Sequence, residues 1–213
     1  MEVERDDEWA SDEFGDTLVG PRDHHPRTVE SVRSRFARFL GALAHERVSN
    51  RGADGELVTG WWLGRLPDGW HVLNDVPVGE SGANIEHLVI GPRGTFTITT
   101  KNLTGKVWVG PKSVLHNRRR TDFLPKASAE ARLASRLLSS AVGRPVEVRG
   151  VLAILCDDWT VKQRPADVYV DATRGVKDWM LRQPTVLRAE EVIELAVAAS
   201  KPGTWFGPRL DAR

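Results

Sequence analysis

The stretch ANIEHLVIGPRGTFTITTKN, residues 83–102, decides the fold of this chain. Two runs of residues that favour β-strands flank the turn GPRG at 91–94, and a connection this short predicts an antiparallel hairpin. Phe96 and Ile98 point to one face of the second strand, because side chains alternate along a strand. The other face carries its hydroxyl and ammonium groups: Thr95, Thr97, Thr99 and Lys101. The hairpin therefore has a polar face that ends on a lysine.

Further strands are predicted on both sides of this hairpin. They are residues 70–78, residues 106–110 with a partner in SVLHN at 113–117, the almost continuously apolar EVRGVLAILC at 147–156, and ADVYVDA at 166–172. Helical periodicity predicts helices over residues 28–48, 56–66, 123–142, 174–182 and 188–200. This order predicts an α/β fold in which a mixed β-sheet, made of a meander and a buried strand, is flanked by helices. No glycine-rich loop follows a strand, which excludes a dinucleotide fingerprint and a P-loop.

The composition excludes several classes of protein. The chain of 213 residues is 40% hydrophobic and 28% charged, an ordinary balance for one folded domain with extensions. No window offers the roughly 18 apolar residues of a membrane span. The N-terminus is acidic where a secretion signal is basic, so we expect a cytoplasmic protein with no membrane partner. One cysteine, Cys156, and scattered histidines exclude an internal disulfide and a zinc cluster, so a metal site here would use oxygen ligands.

Charge is unevenly distributed along the chain. Residues 1–27 carry nine acidic side chains against three arginines, whereas the remainder carries 27 basic and 20 acidic ones. We interpret residues 1–27 as an acidic, disordered tail that either solubilises the protein or docks on its basic body as a polyanion mimic. The basic body favours a polyanionic partner such as DNA, and solvated surface charge explains it equally. Residues 28–200 are predicted to form one domain with a core at about 50–171, followed by a C-terminal tail at 201–213.

Four segments resemble the nuclease-related domain family, NERD, in the form found in actinobacterial proteins. These are GADGE at 52–56, VLNDVPV at 72–78, residues 83–107 and RPADVYV at 164–170. The resemblance spans about residues 50–171 and implies a restriction-endonuclease-like fold with a PD-(D/E)xK site. It also implies metal-dependent hydrolysis of DNA phosphodiester bonds.

Carried over by position, the resemblance assigns the early helical acid to Glu56, the strand acid to Glu86 and the lysine to Lys101. Thr99 stands where the family has an acid two residues before the lysine. The resemblance thus implies catalysis by Glu56, Glu86 and Lys101. It also implies Mg²⁺ or Mn²⁺, held weakly by Glu56 and Glu86 with Thr99 as a neutral ligand.

Most of these side chains also have a purely structural interpretation. Glu86 lies in an apolar strand, so its charge must be paired or used, and a salt bridge to Lys101 would satisfy both groups. Thr99 would then be an ordinary residue of a threonine-rich strand. Asp75 and His87 are polar neighbours expected to support the site, and alternation turns His87 to the face opposite Glu86.

Four basic residues between a strand and a helix are predicted to contact nucleic-acid phosphates or to be solvated loop charges: Arg118, Arg119, Arg120 and Lys126. Two functions follow from the sequence. One is a metal-dependent DNA nuclease with a degenerate acid position, and the other is an inactive nucleic-acid-binding or protein-interaction module on the same fold. Thr99 separates the two, because a hydroxyl does not supply the negative charge of a carboxylate.

Overall fold

Residues 51–79 and 83–206 are those that the computed structural model describes, and they form nine strands and five helices. The strands are β1 His71–Val78, β2 Ala83–Gly91, β3 Gly94–Asn102, β4 Lys106–Val109, β5 Val114–His116, β6 Arg119–Arg120, β7 Val148–Leu155, β8 Asp158–Val161 and β9 Val168–Ala172. The helices are α1 Arg51–Leu63, α2 Phe123–Val142, α3 Thr173–Arg182, α4 Ala189–Ala199 and the short α5 Pro202–Trp205. None of these five helices combines the length and the apolar composition needed to cross a membrane. The tail predicted over 1–27 and the helix predicted over 28–48 lie outside the described residues.

The larger sheet has five strands in the order β1-β2-β3-β7-β9. β1, β2 and β3 are antiparallel neighbours, and the predicted turn joins the last two with Gly91 opposite Gly94. Gly94 has a φ of 125°, a conformation that residues with side chains rarely adopt. β3, β7 and β9 run parallel, and the connection from β3 to β7 includes α2. The sheet is therefore mixed, and the predicted α/β fold is confirmed.

The smaller sheet has the order β6-β5-β4-β8 and continues from the ends of β3 and β7. β4 follows β3 and β8 follows β7 within a few residues, and β4 and β8 are parallel like the strands before them. β5 and β6 form a hairpin whose tip, Asn117 and Arg118, has φ values of 50° and 67°. A two-residue turn of this kind requires positive φ at both positions. The pairing of β4 with β5 was predicted, whereas β6 and β8 were not, because such short and largely exposed strands carry no apolar run.

Helices cover both faces of the larger sheet. α2 and α4 pack on the face that carries Leu88 and Ile90. α1 and α3 pack on the face that carries Val89, Phe96 and Ile98. Leu88 and Thr97 are cross-strand partners and share a face, so the polar face of β3 lies toward α2.

A face of α2 made largely of small residues lies against this sheet. Its buried residues are Leu124, Ala127, Ala131, Ala134 and Leu138, whereas Ala141 near the end of the helix is exposed. Gly150 of β7 faces this helix, because a Cβ atom there would meet the backbone of Ala127. Glycine in the strand and alanine in the helix therefore allow α2 to lie close to the sheet.

Two predicted boundaries were wrong. The helix predicted over 56–66 begins at Arg51 and ends at Leu63, so it starts five residues earlier and ends three residues earlier than predicted. Gly55 lies against Thr100 and Asn102 of β3, and this tertiary contact overrides the low helix propensity of glycine. Part of the predicted C-terminal tail forms α5, in which Trp205 is buried and joins the core beside α2 and α4.

Candidate active site

Glu86 and Lys101 meet on the face of the larger sheet that lies toward α2. The Nζ atom of Lys101 lies 3.3 Å from Oε1 of Glu86, and the two side chains are 30% and 15% exposed. The backbone N–H of Thr100 donates a hydrogen bond of 2.5 Å to Oε2 of Glu86. The salt bridge that the structural interpretation of Glu86 and Lys101 requires is therefore present. Both carboxylate oxygens of Glu86 are held by neighbouring groups of β3.

Thr99 points to a carboxylate that was absent from the sequence-based prediction. Its hydroxyl donates a hydrogen bond of 3.3 Å to Oε1 of Glu130, which α2 contributes. Burial raises the pKa of Glu130 to about 7; the bond from Thr99 opposes this rise, and the negative charge of Glu86 adds to it. Thr97, also on this face, is 1% exposed and its hydroxyl has no hydrogen-bond partner. The hydroxyl of Thr97 lies near enough to Glu130 to lower the pKa of that carboxyl slightly.

One sequence signal did point to Glu130. It is the sole acidic residue of α2, whose other charged residues are Lys126, Arg132 and Arg136. It directly precedes Ala131 and follows Ala127 by three positions, so it borders the face that packs on the sheet. A lone acid beside a sheet-facing stripe is a candidate for a buried or functional carboxylate.

Glu56 reaches the site through its charge alone. It is an exposed residue of α1, on the sheet face opposite α2. Among the described contacts it forms no hydrogen bond or ion pair with Glu86 or Lys101. Partial burial raises the pKa of Glu56, the charges of Glu86 and Asp75 add to the rise, and Lys101 opposes it. Glu56 thus shares the electrostatic field of Glu86 and Lys101 without a described hydrogen bond or ion pair to either residue.

Asp75 lies opposite Glu86 at a break in the β1–β2 ladder. The pairs on each side of it are in register, while Asp75 itself is unpaired and has a φ of 54°. A positive φ in a residue with a side chain is strained and is held by its surroundings. Here the Asn84 side chain donates a hydrogen bond to Oδ1 of Asp75.

His87 is buried on the opposite face, as the alternation predicts. Its side chain is 4% exposed, and its Nδ1 atom lies 2.7 Å from Oδ1 of Asn74. Burial lowers the pKa of His87 to about 4, and the nearby backbone of Glu56 opposes this shift. The Nε2 atom of His87 nevertheless has no hydrogen-bond partner among the described residues. His87 is therefore neutral at pH 7, and it lies between β1 and the start of α1.

The four predicted phosphate-contacting residues are all exposed: Arg118, Arg119, Arg120 and Lys126. Three of them form the β5–β6 hairpin, and the fourth lies in the first turn of α2. Lys126 forms an exposed ion pair of 2.6 Å with Asp122. The hydrogen bond between Lys126 and Asp122 is the main cause of the lowered pKa of Asp122, and the positive charge of Lys101 lowers this pKa by a smaller amount. The start of α2, directly after the hairpin, is therefore within electrostatic reach of Lys101.

The donor atoms on the α2 side are oxygens: the carboxylates of Glu86 and Glu130 and the hydroxyls of Thr97 and Thr99. This set fits a hard divalent cation in its chemistry, because Mg²⁺ often uses one or two carboxylates and completes its shell with water. Within residues 51–79 and 83–206, no three histidine, cysteine or acidic side chains converge closely enough to hold a metal ion. The number of protein ligands is therefore small, and Glu56 does not complete a group of three acidic ligands with the others.

A groove of about 470 Å³ lies elsewhere on the surface. Leu124, Ser128 and Arg132 of α2 line one side, and Pro111 and Asp167 are among its other residues. It includes none of the residues that form the Glu86–Lys101 contact or the Thr99–Glu130 contact. The groove is thus distinct from the polar site.

Comparison with known proteins finds a family model that part of this chain matches. No curated protein matches the chain in sequence. Among solved structures, SfsA of Pyrococcus furiosus in complex with Ca²⁺ is similar at 16% identity and a TM-score of 0.24, over 70% of this chain and 52% of that one. The chain thus spans about half the length of SfsA. Residues 51–155, which run from α1 to β7 and include Glu86, Lys101 and Glu130, match the family model of the nuclease-related domain, NERD.

Proposed function

We propose that this protein is a nuclease that hydrolyses DNA phosphodiester bonds with the help of Mg²⁺ or Mn²⁺, on a restriction-endonuclease-like PD-(D/E)xK scaffold. One observation carries the proposal. The 3.3 Å contact between Lys101 Nζ and Glu86 Oε1 lies inside the segment that matches the nuclease-related domain. It joins the strand acid and the strand lysine to which the resemblance assigns the chemistry.

Each protein group has a role that follows from its contacts. The backbone N–H of Thr100 fixes Glu86, and Glu86 orients the ammonium group of Lys101. Lys101, which is 30% exposed, stabilises negative charge that develops on a phosphate at this edge. Glu86 is the proposed carboxylate ligand of the cation, and Glu56 adds negative charge nearby. The cation, when bound, neutralises phosphate charge and lowers the pKa of the attacking water.

The basic hairpin supports DNA as the partner. Arg118, Arg119 and Arg120 project from a tight turn, and all three are exposed. The hairpin is followed directly by the start of α2, where the positive charge of Lys101 helps to lower the pKa of Asp122. Exposed arginines beside a lysine-containing site favour contacts with the phosphates of a nucleic-acid backbone.

A second function is favoured by a different observation. Thr99 supplies no charge, and both oxygens of Glu86 are already held by Lys101 and Thr100. A fold with this arrangement would bind nucleic acid without cutting it. The two functions predict the same partner and differ in the fate of the phosphodiester bond.

A cleavage and binding assay separates the two functions. Supercoiled plasmid and single-stranded DNA are incubated with Mg²⁺ or Mn²⁺ and with wild type, Lys101→Ala or Lys162→Ala, an exposed lysine of the smaller-sheet region that serves as control. The nuclease predicts metal-dependent cleavage that Lys101→Ala removes and Lys162→Ala keeps. DNA binding without cleavage by wild type would support the binding module instead.

A further inference from the structure

Glu130 is a half-buried carboxylate with few partners. It accepts a 3.3 Å hydrogen bond from Thr99, a neutral donor. Among the described residues no lysine, arginine or histidine forms an ion pair with it. Lys101, which carries charge on the same face, is engaged by Glu86 instead. A carboxylate in such surroundings is costly unless a positive charge compensates it.

Thr97 gives a second and independent indication of a ligand. Its side chain is 1% exposed and its hydroxyl has no hydrogen-bond partner, although nearly all buried polar groups have one. Thr97 and Thr99 lie on the same face of β3, two residues apart, and both face the carboxylate of Glu130. A buried hydroxyl that completes no hydrogen bond of ordinary geometry thus lies close to a carboxylate that has no ion-pair partner among the described residues.

The packing of α2 holds Glu130 at this place. Thr97 of β3 and Gly150 of β7 are neighbours in the parallel ladder. The absence of a side chain at Gly150 lets the backbone of Ala127 approach, one helical turn before Glu130. The helix is therefore seated where its acid reaches the strand that carries Thr97, Thr99 and Lys101.

We propose that Glu130 is an anionic ligand of a hard divalent cation, held on the α2 side of the sheet together with Glu86, with Thr99 as a neutral oxygen donor. The inference rests on the proposed function and adds a residue to its site. The negative charge that position 99 lacks is supplied from the adjacent helix, on the same face. Two carboxylates, a hydroxyl and water satisfy the oxygen preference of Mg²⁺ or Mn²⁺.

Calorimetric titration of the full chain with Mn²⁺ tests this inference without relying on cleavage. The variants are Glu130→Gln, Glu86→Gln, Thr99→Glu with Glu130→Gln, and Glu190→Gln as a control on an exposed glutamate of α4. Wild type is expected to bind Mn²⁺, and Glu130→Gln to weaken binding at least about tenfold, the lower end of what perturbing a metal site costs. Thr99→Glu is expected to restore binding in the Glu130→Gln background, because residue 99 contacts residue 130. Glu190→Gln should bind as wild type does.

The outcomes distinguish the two proposals. If Glu86→Gln weakens Mn²⁺ binding and Glu130→Gln does not, the role of Glu130 is overturned while the proposed nuclease site stands. If wild type binds no Mn²⁺, the cation site is overturned together with the role of Glu130. Thermal unfolding of each variant shows whether it is folded. Should Glu130→Gln fail to fold, Glu130→Asp replaces it, since a shortened side chain keeps the charge and is expected to weaken binding less than the loss of Glu86.

Discussion

A Cβ atom added to Gly150 would lie 2.9 Å from the carbonyl oxygen of Ala127, closer than side-chain carbons approach backbone. This near contact between β7 and α2 sets the depth at which the helix lies on the sheet. It also sets the position of Glu130, which follows Ala127 by three residues on the same helix. The geometry of the candidate site therefore depends on a glycine that lies outside it.

The variant Gly150→Ala is expected to lower the free energy of unfolding by about 1–3 kcal/mol, the usual cost of overpacking a core. The backbone of Ala127 must move, and backbone yields less easily than the end of a side chain. Urea denaturation measures the loss. Gly203→Ala is the control, because a Cβ atom at Gly203 meets nothing within 4 Å. Equal stability of the two variants would show that α2 does not lie this close to β7.

The Glu86–Lys101 pair is expected to contribute a measurable coupling free energy. Because both side chains are mostly shielded from water, a double-mutant cycle of Glu86→Gln and Lys101→Met should give about 1 kcal/mol, at the upper end for ion pairs near a surface. Lys106 and Asp158 form the control pair, at 3.9 Å with side chains 84% and 58% exposed, and should show no measurable coupling. An equal coupling free energy in the two cycles would contradict a close and shielded contact between Glu86 and Lys101.

Tyr169 is expected to titrate at unusually high pH. Burial, the hydrogen bond to Asp171 and its negative charge raise the pKa of Tyr169 to about 12. Since it is the single tyrosine of the chain, tyrosinate absorbance at 295 nm reports this residue alone, with an expected midpoint near 10 in urea. The folded state binds the proton of Tyr169 more tightly than the unfolded state does. The contribution of this group to the free energy of unfolding is therefore lost as the pH rises from about 10 to 12. A native midpoint that matches the unfolded one would contradict the Tyr169–Asp171 contact.

The arginines of the β5–β6 hairpin are expected to contact DNA phosphates. Arg119→Ala and Arg120→Ala should each weaken binding and reduce the slope of log affinity against log salt by about 0.9 per lost phosphate contact. Fluorescence anisotropy of labelled DNA across a salt series measures both effects. Arg174→Ala, an exposed arginine of α3, is the control and should keep the slope of wild type. An unchanged slope in the hairpin variants would place the DNA on another surface.

Much of the fold could be predicted from local patterns. The hairpin over 83–102 and the helix over 123–142 were predicted almost residue by residue, because apolar alternation and helical periodicity are strong in both. The start of α1 was missed, since the contact of Gly55 with β3 is tertiary and leaves no local signal. β6 was missed because a two-residue exposed strand carries no apolar run, and β8 was missed because its partner β4 lies far away in the sequence.

The candidate site shows the same limit. Glu86, Lys101 and Thr99 lie on two strands joined by a tight turn, so alternation and register predict that they share a face. Glu130 lies 31 residues beyond Thr99 on a helix that returns over the sheet, and only the packing of α2 brings them together. Whether Glu56 meets Glu86 likewise depends on tertiary structure, which packs the helix of Glu56 on the opposite face of the sheet.

The most direct test of the central proposal is the rate of Mn²⁺-dependent nicking of supercoiled plasmid by wild type and by Lys101→Met, which removes the ammonium group and keeps most of the side-chain volume. We expect wild type to convert the plasmid to open circles. Lys101→Met should lose at least about 100-fold in rate, the usual cost of removing a group that stabilises charge in the transition state. Chelation of the metal should abolish nicking by wild type. Equal nicking by the two proteins, or none by wild type at any metal concentration, would contradict a nuclease site at Glu86 and Lys101.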